Sequence, residues 1–498
     1  MAFNVIEASK KITEKYKRYL KTIFDIDNPE YKSLFIKALD GDDPFAKGPY
    51  LDVTDSFEKG ASVPQLIDEG VLSKDFSYIE NIYVKTLHWH QEESLRKSLK
   101  NKNLVVSTGT GSGKTESFLL PILNALMREK EEKGKLCPGV RALIIYPMNA
   151  LANDQIDRLR ELLKNYPEIT FGCYTGQTEH SDEKAELQFK KLNRDEETGE
   201  VAKRLPNELL SRDAMKRTPP HILITNYAML EYLMLRPADN VFFDGQYAKY
   251  WKYIVLDEAH TYTGSTGIEV SMLLRRVLAK LNNPSIQYIL TSATLGDKDS
   301  NKEVVQFAES LCNAPFYEED IIRAKRIDLF ALRKTLDIRL TSDIYGFTSQ
   351  LLDEGYADDY VLEKTGERFD LGASTASDLS SFLYDLLLRD ETYWAVKGYL
   401  STPKSVFDIC QYMDWTSAEL SDFVEVASRA NKNRMKLFDA RYHLFIRATE
   451  GVCITLHPHK EVFLSRKNKH YFEGKEYKAF EVVSCTQCHS LYILGNIE

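Results

Sequence analysis

One stretch constrains this chain more than any other: Ser107-Thr108-Gly109-Thr110-Gly111-Ser112-Gly113-Lys114-Thr115. It follows the apolar run 104–106 and opens a helix-patterned stretch, 116–128. Strand, glycine-rich turn, Lys-Thr and helix, in that order, make a cradle for a phosphate. Backbone N–H groups of a loop without bulky side chains converge on the anion, and the positive end of the next helix points at it. Lys114 then reaches the β- and γ-phosphates, and the Thr115 hydroxyl can hold Mg²⁺. The general spacing GxxxxGK[ST] asks for glycine at 108, where Thr108 stands. Read without its flanks, the stretch is equally a flexible Gly/Ser turn; the strand before it and the helix after it favour phosphate.

Around this loop, residues 81–300 alternate short apolar runs with helix-length stretches. The runs are 104–106, 142–146, 169–173, 221–225, 253–256 and 287–290. They are near-continuously apolar, as strands covered on both faces must be. Helical patterns such as 150–165 and 267–281 fit between them. The alternation predicts an α/β fold, a doubly wound parallel sheet, whose chemistry gathers at the carboxyl ends of the strands. Pro121 falls inside the helix after the loop and predicts a local bend. The stretch 181–217, dense in charges of both signs, reads as a solvated insertion ahead of the strand at 221.

Two further groups sit at expected strand ends. In Ile254-Val255-Leu256-Asp257-Glu258-Ala259-His260 an apolar run closes on two adjacent carboxylates. Asp257 can bind the Mg²⁺ already held by Thr115, and Glu258 can orient and deprotonate a water for attack on the γ-phosphorus. Thr291-Ser292-Ala293-Thr294 follows another apolar run. Its hydroxyls can hydrogen-bond to His260 or Glu258 and sense the nucleotide. An Asp-Glu pair is common on surfaces and Ser-Ala-Thr says little alone; the ordered series is what gives them weight.

In that series the chain resembles superfamily-two helicases of the DEAD/DEAH-box kind. Thr110-Gly111-Ser112-Gly113-Lys114-Thr115 is similar to motif I, whose first position in that family is often a small residue other than glycine. Asp257-Glu258-Ala259-His260 spells the DEAH form of motif II, and Ser292-Ala293-Thr294 is similar to motif III. Tyr146-Pro147-Met148-Asn149-Ala150-Leu151-Ala152-Asn153-Asp154-Gln155 resembles motif Ia, and Thr225-Asn226-Tyr227-Ala228-Met229-Leu230 resembles motif Ib. His90-Gln91 resembles the Q motif that reads adenine. The resemblance implies a RecA-like first helicase lobe with ATP and Mg²⁺ as cofactors. It implies Gln91, Thr110, Gly111, Ser112, Gly113, Lys114, Thr115 and Asp257 as nucleotide-binding residues. Lys114, Asp257, Glu258 and His260 would be catalytic, and Ser292 and Thr294 would couple the site. Pro147, Asn149, Thr225 and Asn226 would grip the sugar-phosphate of one strand. The residues themselves support that grip only by their place, just past two strand ends, where phosphate contacts without base reading fit. The wording Tyr-Pro-Met-Asn-Ala-Leu and Asp-Glu-Ala-His-Thr-Tyr is similar to large bacterial helicases related to the mitomycin repair factor and to phage-defence helicases. That narrower resemblance implies DNA over RNA, and a place in DNA repair or phage defence.

Helicases of this kind have a second lobe that supplies arginine fingers across the cleft, and no Gln-x-x-Gly-Arg-x-x-Arg pattern follows residue 300. An arginine finger is worth about 10³–10⁵ in rate. The expectation is therefore ATP binding with weak hydrolysis by this chain alone. The chain would be the front part of a longer protein, or a partner subunit would supply the second lobe. Two other readings stay open: a nucleotide-gated nucleic-acid-binding or regulatory module, and the ATPase subunit of a restriction or defence complex.

The flanks say less. Ile6, Ile12, Tyr16, Leu20 and Phe24 recur at helical spacing, and 1–80 reads as an N-terminal helical extension. Residues 301–440 read mainly helical, over 377–388, 404–413 and 417–430, the last two suiting a winged-helix-like unit. Residues 441–498 read as a small β region carrying Cys485-Thr486-Gln487-Cys488. That pair is either one knuckle of a zinc ribbon, with Zn²⁺ on Cys485 and Cys488, or two free thiols in a hairpin; zinc wants four ligands. The formal net charge of −9 argues against a charge-driven nucleic-acid coat but not against a local groove. Seven mostly scattered cysteines suit a reduced cytosolic chain. No apolar run approaches the roughly 18 residues of a membrane helix, and the N-terminus lacks a signal peptide's apolar core. The expectation is a soluble cytoplasmic protein.

Overall fold

The computed structural model describes residues 5–41, 46–109, 111–194, 204–283, 285–295, 298–336, 338–369, 378–432, 435–446 and 451–495. They fall into two compact units, Phe57–Arg326 and a second made of Met1–Ser56 with Ile327–Glu498.

The first unit is built on eight strands. These are β1 Leu104–Ser107, β2 Ala142–Tyr146, β3 Phe171–Tyr174, β4 Glu208–Leu209, β5 Ile222–Asn226, β6 Tyr253–Leu256, β7 Gln287–Ser292 and β8 Ile321–Arg323. Their order across the sheet is β8-β1-β7-β6-β2-β5-β3-β4, and every pairing is parallel. Successive side chains point to opposite faces. Val106, Ile144, Ile224, Val255 and Ile289 enter one core with the helices α1 Lys114–Lys133 and α2 Asn149–Leu163. Val105, Leu143, Leu223, Ile254 and Leu290 enter the other with α3 Tyr227–Leu235, α4 Gly264–Leu281 and α5 Asn301–Cys312. Both faces are buried, which is why the strands read as unbroken apolar runs. This is the RecA-like doubly wound sheet expected from the sequence.

Two details differ from expectation. The unit extends beyond 81–300, because Val63, Leu66, Phe76 and Ile79 pack into the α1-side core and β8 closes the sheet edge beside β1. The charged stretch 181–217 is not simply solvated: it supplies the edge strand β4, the helix Asp182–Leu192 and the buried Phe189 and Arg212. Pro121 lies inside α1, which continues through it.

In the second unit the N-terminal segment is more than a helical extension. After the helices Val5–Ile23 and Pro29–Asp40, the strand Ala46–Thr54 pairs antiparallel with Lys404–Ser405 and with Asp439–Ile446. Helices from Ser342–Asp353 to Ser417–Arg429 pack around Tyr345, Tyr393 and Phe423. A small antiparallel sheet, Val462–Phe463, Val452–Ile454, Phe480–Ser484 and Leu491–Ile493, lays Ile454 and Val482 on Leu20, Tyr31 and Phe35. The strand Lys404–Ser405 followed by helices Val406–Met413 and Ser417–Arg429 has winged-helix order. However, the second helix turns Leu420, Phe423, Val424 and Ala427 inward and carries Glu419, Asp422 and Glu425 against one cation, Arg429, which pairs with Glu425, a balance of the wrong sign for a phosphate backbone. Among the described residues no helix is long and apolar enough to cross a membrane.

Candidate active site

β1, β7 and β6 are neighbours, so the turns that follow them open on one place at the carboxyl edge. Register sets them level: Ser107 lies opposite Ser292, and Leu256 opposite Leu290. After β1 the chain turns through Gly111 (φ +74°) and Gly113 (φ +73°), a left-handed backbone that favours glycine. A Cβ at Gly113 would also stand 2.4 Å from the Gln91 amide nitrogen. Gly113 is the N-cap of α1 and offers no side-chain capping bond, so the first N–H groups of the helix are left for an anion. Ser112 is buried, its Oγ 2.7 Å from Thr108 Oγ1, and the Thr108 N–H donates to Ser292 O at 3.0 Å. The base of the loop is thereby fastened to the end of β7. Thr110 lies outside the described residues.

Lys114 Nζ reaches across to Glu258 Oε1 at 2.8 Å. Glu258 itself has φ +48°, which costs a non-glycine residue about 1–2 kcal/mol; it is the point at which the chain leaves β6 and faces the loop. Beside it Asp257, 9% exposed, accepts the Thr291 hydroxyl. Burial pushes the Asp257 carboxyl above its ordinary value, while the bond from Thr291 works the other way. His260 Nδ1 lies 3.1 Å from Ser292 Oγ and 3.4 Å from Glu258 Oε2. Glu258 Oε2 is buried and makes no hydrogen bond among the described residues. Such an acceptor suits a donor entering the cleft, and a water is the simplest one. Thr115 is half-buried on the first turn of α1. Thr294 is exposed and joins only through its backbone, its N–H donating to Ser292 Oγ at 3.1 Å. A bare loop, a lysine and a buried carboxylate together fit a polyphosphate carrying a divalent cation.

Gln91 packs against the loop. It is 5% exposed, its Nε2 donates to Gly113 O at 3.0 Å, and its Oε1 accepts the His88 N–H at 2.8 Å. His90 Nε2 stands 2.9 Å from Ser112 O. Each end of the amide makes one bond to the protein, so Gln91 braces the loop from behind.

A second group forms along the same edge. Asn149, at the start of α2, and Asn226, at the end of β5, meet: Asn226 Nδ2 donates to Asn149 Oδ1 at 2.7 Å. Asn226 Oδ1 caps α3 by accepting the Met229 N–H at 2.7 Å. Pro147 precedes this pair, following β2. The Thr225 hydroxyl points inward, donating to Tyr174 O at 2.6 Å. Register puts Tyr174 opposite Thr225, which brings the turn Thr175–Gly176–Gln177–Thr178 alongside, with Gly176 and Gln177 exposed. Small and hydroxyl residues follow the apolar run of β3 here, as they do after β7.

Cys485 and Cys488 stand in a separate turn closed by Cys485 N–H to Ser490 O at 3.0 Å and His489 N–H to Cys485 O at 2.9 Å. Cys488 is exposed. Hydrogen bonds from the Ser490 backbone and hydroxyl, then from Cys485, draw its thiol down to about 7. Among the described residues no three His, Cys, Asp or Glu side chains gather as a metal site. Cys453, buried, accepts the Lys467 N–H at 3.4 Å. The described residues therefore supply two of the four ligands zinc wants, and the zinc-ribbon expectation is not met by them.

Residues 89–302 match the family model described as DEAD/DEAH box helicase. Druantia protein DruE of Escherichia coli (strain UMEA 4076-1) is 29% identical over 384 residues, which is 60% of this chain and 21% of that protein. An uncharacterized ATP-dependent helicase of Methanocaldococcus jannaschii is 29% identical over 232 residues, 46% of this chain and 28% of its own length. Among solved structures, the DUF1998 helicase MrfA bound to DNA is similar at 22% identity with a TM-score of 0.40, over 58% of this chain and 34% of that one. The chain thus spans under a third of either curated relative. It carries, over residues 89–302, a DEAD/DEAH box helicase domain.

Proposed function

We propose that this chain binds ATP with Mg²⁺ at the loop 107–115 and hydrolyses it in response to a nucleic-acid strand, DNA rather than RNA, lying along Pro147, Asn149, Thr225 and Asn226. The observation that carries the reading is the 2.8 Å approach of Lys114 Nζ to Glu258 Oε1, beside the buried Asp257. A phosphate-seeking cation and paired acids meet at one point, each neutralising the other until a triphosphate separates them.

The backbone of Gly111, Ser112 and Gly113, with Thr110, holds the phosphates, and Lys114 leaves Glu258 for the β- and γ-oxygens. Mg²⁺, held by Thr115 and Asp257, would neutralise charge on the phosphates. Glu258, released from Lys114, accepts a proton from the attacking water through Oε2, which lies 3.4 Å from His260 Nδ1. His260, joined to Ser292 at 3.1 Å, and the Thr294 backbone link this water site to the end of β7, between the two reacting loops. Gln91 keeps the loop in shape. A second RecA-like lobe, in cis or from a partner subunit, completes the motor and raises a weak basal rate. The motif wording, which resembles DNA-repair and phage-defence helicases, supports DNA as the strand in one of those two settings. Zinc on Cys485 and Cys488 would need two more ligands from outside the described residues.

Glu258→Gln is the test. ATP affinity, measured by calorimetry, should stay within a fewfold of wild type, while phosphate release falls by about 10²–10⁴. Undiminished release in that variant removes Glu258 as the base.

A further inference from the structure

The second unit carries a patch whose charge runs against that of the chain. Between residues 466 and 478 stand five cations, Arg466, Lys467, Lys469, Lys475 and Lys478, against two carboxylates, Glu473 and Glu476, in a chain of formal net charge −9. The segment folds into a two-stranded hairpin, Lys469–Phe472 on Lys475–Lys478. Its turn is Glu473-Gly474, both in left-handed backbone (φ +46° and +75°), as a tight two-residue hairpin turn requires. Register then sorts the side chains. His470 lies opposite Tyr477 and Phe472 opposite Lys475, while Lys469 lies opposite Lys478 and Tyr471 opposite Glu476.

The two faces differ. His470, Phe472 and Tyr477 are half-buried, their ring centroids 5.0 Å from Phe463, 4.6 Å from His459 and 5.9 Å from His457. That face is held by the fold. On the other, Lys469, Tyr471, Glu476 and Lys478 are all exposed, and Tyr471 keeps 67% of its surface in water. Glu476 is occupied, since it accepts the Tyr471 hydroxyl at 2.9 Å and meets Lys469 Nζ at 2.8 Å. Arg466 meets Glu481 at 3.0 Å. Lys478, Lys475 beside the turn, and Lys467, whose Nζ stands 4.9 Å from the Phe463 ring centroid, pair with no carboxylate among the described residues. Uncompensated lysines around an exposed aromatic ring fit a polyanion whose bases can stack, which is a single nucleic-acid strand. An acidic peptide would meet the lysines and leave the ring unused.

We propose that the hairpin 469–478 is a separate contact for a single strand, with Lys467, Lys475 and Lys478 on its phosphates and Tyr471 against a base. It lies outside residues 89–302, takes the strand by backbone and stacking without reading sequence, and needs no nucleotide. It goes beyond the strand reading given for Asn149 and Asn226 and does not rest on it.

The test uses the full chain and a fluorescein-labelled single strand of twenty thymidines, with anisotropy followed over a salt series in the absence of nucleotide. Lys467→Gln, Lys475→Gln and Lys478→Gln combined should weaken binding at least tenfold and flatten the slope of log K against log salt by about 2, at roughly 0.7 for each phosphate contact on a single strand. Tyr471→Ser should weaken binding about fivefold or more with the slope unmoved, because stacking is uncharged, and Tyr471→Phe should restore it. Lysines that only guard the open edges of a hairpin against pairing with other chains would move neither quantity. Binding within twofold of wild type with the slope intact in the triple variant therefore overturns the proposal, and undiminished binding in Tyr471→Ser overturns the base contact. Displacement of the strand by polyglutamate as readily as by unlabelled thymidine strand, at equal charge, would make the hairpin a docking site for acidic protein and also overturns it. If Asn226→Ala weakens binding and the triple variant does not, this inference fails and the strand reading stands; if the reverse holds, the hairpin stands and the path along Asn226 fails. Wild type that binds no strand overturns both.

Discussion

Two buried aspartates, one in each unit, differ in how their oxygens are used. Asp390 is fully buried and spent. Its Oδ1 accepts the Leu340 and Thr392 N–H groups at 2.8 and 3.1 Å, and its Oδ2 accepts the Tyr393 N–H at 2.9 Å together with the Tyr345 hydroxyl. It caps the helix Glu391–Tyr399 and has no capacity left. Asp257 is nearly as buried, yet it stands at a strand end beside Glu258, which Lys114 meets at 2.8 Å. Burial raises both carboxyls above their ordinary value. Burial alone therefore separates nothing: Asp390 has both oxygens filled by donors of the fold, whereas Asp257 accepts the Thr291 hydroxyl and stands beside Glu258, whose partner Lys114 comes from the start of α1.

That contrast breaks if the two sites respond alike to mutation. Lys114→Ala should cut ATP turnover by about 10³ or more, since it removes charge stabilisation of the kind worth several powers of ten in phosphoryl transfer. The unfolding midpoint should barely move. Asp390→Ala should do the reverse, costing about 2–4 kcal/mol through a lost cap and several orphaned donors. Its nucleotide affinity, measured at a temperature where the chain is folded, should hold. Urea melts and phosphate-release assays on both variants read this directly; a turnover loss in Asp390→Ala as large as in Lys114→Ala would erase the distinction.

A smaller effect sharpens the same point at the other end of the second unit. Cys488, drawn down to about 7, should be alkylated by iodoacetamide with a rate that rises with pH and is half-maximal near that value, because the thiolate is the nucleophile. An ordinary exposed thiol reaches half-maximum near about 8.5. Replacing Cys485 by Ser should move the midpoint only slightly, since Ser490 contributes first. A midpoint above 8 in the native chain would show that the turn does not hold its donors as described.

The legible parts of this molecule were those where one physical constraint dominates the residues. β2, β5, β6 and β7 are covered on both faces, so they had to be apolar throughout and announced themselves. Gly111 and Gly113 occupy left-handed backbone, and Asp257 and Glu258 end a buried strand. The illegible parts were those decided by a partner far along the chain. β4 and β8, of two and three residues, are too short to carry a period. Ala46–Thr54 is held by Asp439–Ile446, a pairing no local pattern signals. Arg212 looks like any surface charge until Thr175 and Tyr174 are brought over it. Gln91 resembles an adenine-reading motif by position alone, and its bonds to the His88 N–H and Gly113 O carry no local signal.

The central claim is that Lys114 serves a triphosphate and only rests on Glu258 in its absence. The most direct measurement is a crystal structure of this chain with a non-hydrolysable ATP analogue and Mg²⁺. The account predicts Lys114 Nζ on phosphate oxygens, Thr115 and Asp257 around the metal, and Glu258 facing a water. An analogue bound elsewhere, with Lys114 still 2.8 Å from Glu258 Oε1, would contradict it.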